Sequence, residues 1–320
     1  MDAEVPFPEL SRDELTAIVS RHGLDVDLAT IERLPSTGII NSVYALGSGY
    51  VLRVPRAIDE GLRDTRTESV AVPIVHAAGV RTPALVAFDD SGDLLDVAYT
   101  VYERVPGTSF GFSSSVDASS AGVLRSLGRE LAVLHQRVEE CPDPNGWLDQ
   151  PGREDAPEGF LEEVRAGGYV NDDLHAWLRS LMVRLVPAVQ DARGYRRFLH
   201  DDVSPANVMV DHGSFAALID WGDAGWGDPA LEFCCLPTRA VPRVLAGYRE
   251  VAPLDGDETA EARILYDHVM TACYYATRTV NSEAQNWGRP PVGRFVELLA
   301  FATEQPEEWA RWVACAGALR

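Results

Sequence analysis

Residues 198–231 read FLHDDVSPANVMVDHGSFAALIDWGDAGWGDPAL, and this stretch decides how the rest of the chain is interpreted. Short apolar runs separate four polar groups in it: His200, Asp202, Asn207 and Asp220. A His-Gly pair at residues 212–213 divides two strand-like runs, which predicts a hairpin. Such a hairpin would bring Asn207 and Asp220 to one place. The alternative is a polar loop beside an ordinary hairpin, because Asp and Asn are common turn residues.

The order of these groups suits the transfer of a phosphoryl group from a nucleotide to a hydroxyl. Asp202 can act as a general base that accepts the proton of the attacking hydroxyl. Asn207 and Asp220 offer the oxygen ligands that Mg²⁺ prefers. We expect His200 to hold the loop by hydrogen bonds rather than to take a proton.

Two motifs in this stretch resemble the catalytic core of the aminoglycoside phosphotransferase family, the antibiotic and small-metabolite kinases related in fold to protein kinases. The family patterns HGDxxxxN and IDWxxxxxGDPxxD are matched by HDDVSPAN and IDWGDAGWGDPALE. Asp201 stands where the family usually has Gly, and Glu232 stands where it often has Asp. The extra carboxylate leaves open which Asp is the base. Asp202 is favoured because only it has four residues before Asn207.

The resemblance implies an α+β, bilobal protein-kinase-like fold with a small β-rich N-lobe and a larger, mainly helical C-lobe. Residues 1–106 would form the nucleotide-binding lobe, with a hinge near 102–107, and residues 107–320 the catalytic and acceptor-binding lobe. The Gly-Asp-Pro turn of the second motif begins within eight residues of Asp220, which leaves no room for a long activation segment. This spacing favours a small molecule over a protein as the acceptor.

The amino-terminal hundred residues contain the parts of a phosphate-binding lobe. Ser11 followed by Glu14 predicts a capped helix that ends near Arg21. The turn that includes Gly38 and Asn41 can bring backbone N–H groups close to phosphates. The alternative is an ordinary hairpin turn without a binding role. Strands are predicted at 43–46, 50–54, 84–88 and 98–103.

A phosphate anchor is expected on the strand VLRVPR. The resemblance places Arg53 where many relatives carry a phosphate-binding Lys, and Arg keeps the positive charge. A predicted helix over 64–78 offers Glu68 as its ionic partner. The alternatives are a surface Arg53 on a strand edge, and a solvated Glu68 paired with Arg63 or Arg66.

The stretch YTVYERVPG at 99–107 resembles the last strand of the N-lobe and the inter-lobe hinge. The resemblance places purine contacts at the Glu103 carbonyl and the Val105 amide, with Tyr102 at the back of the base pocket. A large ring there would displace the purine outward, so GTP is expected to serve at least as well as ATP. Alternatively, Tyr102 packs in the core with its hydroxyl satisfied.

Composition excludes several classes of partner. The chain has 320 residues, with 28 basic and 49 acidic side chains and a formal charge of −21. Nucleic acid is not expected as a partner, because phosphate neutralisation needs clustered Lys and Arg. The sequence shows neither a signal-peptide pattern nor an apolar run of membrane-spanning length, so we expect a cytoplasmic protein without a membrane partner. Five cysteines without framework spacing predict neither a disulfide nor a cysteine metal site.

The expected ligands are a nucleoside triphosphate (GTP or ATP), Mg²⁺ and a small-molecule hydroxyl acceptor, bound by a monomer or dimer. Within the family, antibiotics of aminoglycoside, peptide or nucleoside type are the expected acceptors. The alternatives are a sugar, amino-alcohol or amino-acid metabolite, or an inactive kinase fold used for binding. The carboxyl-terminal third does not identify the acceptor.

Overall fold

The computed structural model describes residues 5–35, 38–111, 120–150, 152–153, 157–277, 291–304 and 307–313. Its amino-terminal part contains, in chain order, α1 (Arg12–Arg21), β1 (Ile31–Arg33), β2 (Asn41–Leu46), β3 (Tyr50–Pro55), α2 (Asp59–Ala77), β4 (Leu85–Asp89) and β5 (Tyr99–Glu103). The five strands pair antiparallel in the order β1-β2-β3-β5-β4. The four predicted strands are confirmed, with ends that differ by one or two residues.

Helix α1 begins at the predicted capping box. The Ser11 hydroxyl accepts a hydrogen bond from the Glu14 amide at 3.2 Å, and the Glu14 carboxylate accepts one from the Ser11 amide at 2.7 Å. These two bonds satisfy amide groups that the first helical turn leaves without partners. The helix then buries Ile18 and Val19 against the sheet.

Helix α2 is longer than the sequence predicted. The prediction was 64–78, whereas the helix begins at Asp59, directly after the extended residue Ile58. Acidic residues occupy its first turn, where the helix dipole favours negative charge. The helix ends at Ala77, and Gly79 follows with a φ of 82°, as expected for a glycine C-terminal cap.

The carboxyl-terminal part is mainly helical. Its elements are β6 (Thr108–Ser109), α3 (Ala121–Arg137), α4 (Glu158–Ala166), α5 (Asp172–Asp191), β7 (Arg197–Leu199), β8 (Val208–Asp211), β9 (Ser214–Leu218), β10 (Gly225–Gly227), α6 (Val241–Arg249), α7 (Ala260–Ala276), α8 (Pro291–Glu304) and α9 (Glu307–Val313). The predicted α+β class is therefore confirmed. None of the helices in the described ranges is long and apolar enough to cross a membrane.

Two glycines bring α3 and α6 into close contact. A Cβ atom at Gly128 would lie 1.9 Å from the Val244 carbonyl oxygen, and one at Gly247 would lie 2.1 Å from the Arg125 carbonyl oxygen. Any larger side chain would therefore push the helices apart. Helix α3 also packs against β7 and β9, the strands that lead to His200 and Asp220.

The predicted hairpin is formed by β8 and β9. Val208 pairs with Leu218, and the turn at residues 212–213 has positive φ angles of 46° and 75°. At the open end of the hairpin, the Ile219 amide donates a 3.0 Å hydrogen bond to the Asn207 carbonyl. The chain therefore leaves the hairpin toward Asp220 beside Asn207.

Candidate active site

The loop between β7 and β8 holds Asp202 and Asn207 together. The Asn207 Nδ2 atom donates to the Asp202 backbone oxygen at 3.0 Å and to its carboxylate Oδ2 at 2.7 Å. Because the amide nitrogen is used here, the Oδ1 atom is the group that Asn207 can offer to a cation. Burial and the nearby Asp220 raise the pKa of Asp202, whereas His200 opposes the rise. A raised pKa suits a group that must accept a proton.

The His200 ring links this loop to the end of strand β9. Its ring is buried, and Nε2 donates to the Ile219 carbonyl at 3.0 Å. The Asp202 amide donates to the other ring nitrogen, Nδ1, at 3.3 Å. The Trp221 ring packs 4.4 Å from the imidazole, centroid to centroid. Both ring nitrogens are thus engaged with backbone, an arrangement that suits a holding role rather than proton transfer.

Glu232 is a positioning group that sequence reasoning noted only as a departure from the family pattern. Its carboxylate is 1% exposed and accepts hydrogen bonds from the amides of His200 at 2.8 Å and Asp201 at 3.1 Å. The buried His135 ring contacts the same carboxylate at 3.2 Å and the Tyr248 hydroxyl at 2.9 Å. The carboxylate therefore joins the turn that carries Glu232, helix α3 and the loop between β7 and β8.

Asp201 has an unusual backbone conformation. Its φ is 64°, in the left-handed region where glycine is free of strain and Asp is tolerated. This geometry accounts for the Gly that the resembling family usually carries at this place. Burial raises the pKa of the Asp201 carboxyl well above its usual range. Of the two neighbouring carboxylates, Asp202 is the one bonded to Asn207.

Arg53 lies between two carboxylates. It forms an ion pair with Glu68 on α2, and its Nη2 atom donates to Asp220 Oδ1 at 2.6 Å. The Tyr102 hydroxyl donates to the second oxygen of Glu68 at 2.7 Å. The Arg53 and Glu68 side chains are 16% and 4% exposed. The two sequence alternatives, a surface Arg53 and a solvated Glu68, are therefore wrong.

Asp220 and Asn207 fit a magnesium ion in chemistry and in charge. Burial would raise the pKa of Asp220, but the charge and hydrogen bond of Arg53 outweigh it, so the pKa lies below its usual range. Within the described residues, no group of three or more His, Cys, Asp and Glu side chains is arranged to hold a metal. One carboxylate and one amide oxygen suit Mg²⁺, which keeps several waters and binds nucleotide phosphates.

The segment predicted as the hinge ends at a glycine that the fold requires. Gly107 has a φ of 97°, and a Cβ atom there would lie 2.1 Å from the Val210 carbonyl oxygen. Before it, Glu103 is exposed and Val105 half-buried. Tyr102 is 5% exposed and held through its hydroxyl, so its ring does not turn aside without breaking the bond to Glu68. Both expectations for Tyr102, a packed ring and a position before the hinge, are compatible with this geometry.

The space beside Gly38 is open. A Cβ atom there would meet no protein atom within 4 Å, so packing within the protein does not require glycine at this position. Asn41, the other turn residue of the prediction, begins β2 and pairs with Pro55. Residues 36–37 of the same turn lie outside the described residues. The phosphate-binding role of the turn stays a prediction.

An acidic group beside the site escaped the sequence analysis. Asp223 lies 3.6 Å from the guanidinium of Arg63, which also contacts Asp64 at 3.1 Å. Burial and the charges of Asp202, Asp64 and Asp220 raise the pKa of Asp223 to about 7. The contact between Arg63 and Asp223 joins residues that are far apart in the chain, so no local sequence pattern indicates it.

Comparisons with known proteins give a family and a fold. A sequence model of the phosphotransferase enzyme family matches residues 31–263. A search of curated proteins found no match. A structure of the GDP complex of aminoglycoside 2′-phosphotransferase-IIIa is similar at 19% identity with a TM-score of 0.63, covering 94% of this chain and 99% of that one.

Two further solved structures are similar. The macrolide 2′-phosphotransferase of Brachybacterium faecium, an apoenzyme, shares 21% identity at a TM-score of 0.54, covering 86% of this chain and 96% of that one. A choline/ethanolamine kinase family protein from Mesorhizobium loti shares 17% identity at a TM-score of 0.61, covering 95% and 96%. These similarities confirm the predicted kinase-like fold.

Proposed function

The chain belongs to the phosphotransferase enzyme family, and from this premise we propose that it moves the γ-phosphate of GTP or ATP to a hydroxyl group of an antibiotic. The acceptor would be of aminoglycoside, peptide or nucleoside type, and its phosphorylation would give resistance. The observation that carries the proposal is the pair of contacts from Asn207 Nδ2 to Asp202. They orient one carboxylate and one amide oxygen in the same loop.

In this proposal Asp202 accepts the proton of the acceptor hydroxyl as that oxygen attacks the γ-phosphorus. The bond from the γ-phosphorus to the bridging oxygen breaks, and the nucleoside diphosphate leaves. A magnesium ion held by Asn207 and Asp220 would neutralise charge on the nucleotide phosphates. His200 keeps the Asp202 amide, and with it the loop, in place. Arg53, oriented by Glu68, would contact the phosphates.

The proposed division of labour follows the two parts of the chain. Residues 1–106 would bind the nucleotide, with Gly38 and Asn41 near the phosphates. The purine would contact the Glu103 carbonyl and the Val105 amide in the hinge. Residues 107–320 would carry out catalysis and bind the acceptor.

The proposal is tested by turnover of the purified chain with Mg²⁺, GTP or ATP, and a panel of acceptors. We expect nucleoside diphosphate release that depends on one class of antibiotic. Asp202→Asn should keep nucleotide binding but lower turnover by roughly 10²–10⁴-fold. Asp220→Ala should also abolish metal-dependent nucleotide binding. Asp211→Asn, at the turn end of the same hairpin, is the matched control and should change neither; full turnover by Asp202→Asn would refute the mechanism.

A metabolite acceptor is the second candidate. It is favoured by the similarity to the choline/ethanolamine kinase family protein, which matches 95% of this chain. Diphosphate release with an amino alcohol, sugar or amino acid, and with none of the antibiotics, would select it over the first candidate.

A further inference from the structure

The hydroxyl of Tyr102 has no part in the mechanism above, although it lies close to the phosphate anchor. On β5, Tyr102 pairs with Val51 of β3. Arg53, two residues further along β3, pairs with Thr100. Because side chains alternate between the two faces of a sheet, Tyr102 and Arg53 are diagonal neighbours on one face. Helix α2 packs against both strands, and its Glu68 side chain contacts both of these residues.

Each oxygen of the Glu68 carboxylate has its own partner. Oε1 forms the ion pair with Arg53, and Oε2 accepts a hydrogen bond from the Tyr102 hydroxyl at 2.7 Å. Glu68 and Tyr102 are both buried. Removing the hydroxyl would leave the second oxygen without this donor inside the protein, which is unfavourable for a carboxylate. The two contacts together therefore fix the rotation of the Glu68 carboxylate.

This rotation determines where the other side of the Arg53 guanidinium points. Nη1 contacts Glu68, and Nη2 donates to Asp220 Oδ1 at 2.6 Å. A guanidinium is planar and rigid, so the direction of one nitrogen sets the direction of the other. A turn of the Glu68 carboxylate would therefore redirect the group that is proposed to bind the phosphates.

We propose that the Tyr102 hydroxyl is a positioning group for the phosphate anchor: it holds Glu68, and through Glu68 it holds Arg53 in the orientation that meets the nucleotide phosphates. The proposal rests on the function proposed above, because it takes Arg53 as the anchor. It gives separate roles to two parts of one residue. The ring borders the proposed base pocket, whereas the hydroxyl acts on phosphates that Tyr102 does not touch.

The test measures the equilibrium binding of nucleotides and nucleosides to Tyr102→Phe, which removes the hydroxyl and keeps the ring. With Mg²⁺ present, we expect a loss of affinity of about three- to tenfold for both GTP and ATP, the range of one hydrogen bond. The affinity for guanosine and adenosine should not change, because a nucleoside has no phosphate for Arg53 to bind. Equal losses for nucleotides and nucleosides, or no loss for either, would overturn the proposal.

Tyr99→Phe is the matched control. Tyr99 lies on the same strand, and its hydroxyl also donates to a carboxylate, that of Asp89, at 3.0 Å. Its ring belongs to the hydrophobic cluster on the α1 side of the sheet, away from Glu68. The variant should lose a similar hydrogen bond and keep its affinity for GTP and ATP. A loss of nucleotide affinity as large as that of Tyr102→Phe would count against the proposal, and the melting temperatures of both variants report any general loss of stability.

A double-mutant cycle follows the path through Glu68. In a Glu68→Ala background, Tyr102→Phe should cause no further loss of nucleotide affinity, because the carboxylate through which the hydroxyl acts is gone. An undiminished loss in that background would show that the hydroxyl does not act through Glu68 and would refute the proposal.

The Arg53→Ala variant separates this proposal from the proposed function. If Arg53→Ala binds GTP and ATP as tightly as the wild type, the assignment of Arg53 in the proposed function fails. If Arg53→Ala binds them weakly whereas Tyr102→Phe binds them normally, only the role of the hydroxyl fails.

Discussion

At the residue scale, one backbone angle separates two neighbouring aspartates. Asp201 adopts a φ of 64°, whereas Asp202 directs its carboxylate to Asn207. The first residue thus serves the shape of the loop, and the second is available for chemistry. The motif spacing favoured Asp202 by residue count alone, and the backbone conformation of Asp201 becomes visible only in the fold.

Asp201→Gly should therefore keep turnover and raise the melting temperature. Glycine has no Cβ atom to oppose a positive φ, and the change also removes a buried carboxyl group. A gain of about 1 kcal/mol corresponds to roughly 1–2 °C in a chain of 320 residues. Asp201→Ala, which keeps the strain and loses the carboxyl, is the matched control and should melt below Asp201→Gly. A loss of turnover in Asp201→Gly as large as that of Asp202→Asn would mean that the base is misassigned.

Tyr102 should give GTP at least the efficiency of ATP. The ring is anchored to Glu68 and restricts the depth to which a purine enters, so guanine can match the hinge where adenine loses a bond. Steady-state kcat/KM for both nucleotides measures the preference, which we expect to be roughly tenfold. Tyr102→Phe keeps the ring and should keep the preference, whereas Tyr102→Ala should shift it toward ATP. ATP preferred by the wild type, and equally by Tyr102→Ala, would contradict this role.

At the element scale, strand β3, helix α2 and the end of the β8–β9 hairpin meet at one guanidinium. Arg53 contacts Glu68, fifteen positions later, and Asp220, 167 positions later. The resemblance predicted the first contact, because the strand and the helix are neighbours in the chain. The second depends on how the two parts of the chain are placed, for which the sequence has no local signal.

Arg53→Ala and Glu68→Ala should behave as one unit. Each should raise the nucleotide KM or lower kcat, the Glu68 variant more weakly, because Glu68 acts by orienting the guanidinium. The double variant should be little worse than Arg53→Ala. Glu60→Ala, an exposed position on the same helix, is the control. Fully additive losses would show that the pair is not functional.

Features that depend on residues close together in the chain were predicted, whereas features that depend on distant residues were not. The Ser11 capping box and the hairpin turn at His212-Gly213 depend on neighbouring residues, and both were predicted. The start of α2 was predicted five residues late, since its first turn is acidic rather than apolar. The Glu232 carboxylate binds amides of a loop some thirty residues earlier, and only the fold shows these contacts.

At the scale of the whole molecule, acidic residues outnumber basic ones, and several of them lie close together near the candidate site. The chain carries a formal charge of −21, and Asp223 lies close to Asp202, Asp64 and Asp220 with Arg63 as a nearby cation. Their mutual repulsion adds to the rise in the pKa of Asp223, Asp202 and Asp64, whereas Arg53 keeps the pKa of Asp220 below its usual range. A bound cation would relieve this repulsion, in keeping with the proposed magnesium ion.

Metal-free protein should therefore lose stability as the pH rises. The pKa of Asp223 is about 7 in the folded protein against an ordinary value of 3.8, so the folded state binds more protons between these values. Its contribution to the free energy of unfolding is present at low pH and falls as the pH passes from about 4 to about 7. Asp223→Asn should raise the melting temperature at pH 8 by only about 1 °C and change it little at pH 4, because solvent screens part of the repulsion at this half-exposed side chain.

The test compares melting temperatures between pH 4 and pH 8 for the wild type, Asp223→Asn and the control Asp211→Asn. The difference between the first two should widen with rising pH, and Asp211→Asn should follow the wild type. A difference that is constant with pH would show that Asp223 does not titrate in this range.

The Glu232 carboxylate also has a consequence for biosynthesis. A ribosome makes the chain from its amino terminus, so His200 and Asp201 emerge before the carboxylate that binds their amides. His135, which contacts the same carboxylate, is made before it, and Tyr248, whose hydroxyl contacts the His135 ring, is made after it. A nascent chain that stops just short of residue 232 contains all of HDDVSPAN and nearly all of IDWGDAGWGDPALE, but not the carboxylate that binds the amides of His200 and Asp201. The loop can therefore acquire its working shape only late in translation, after the segment up to Tyr248 has left the ribosome.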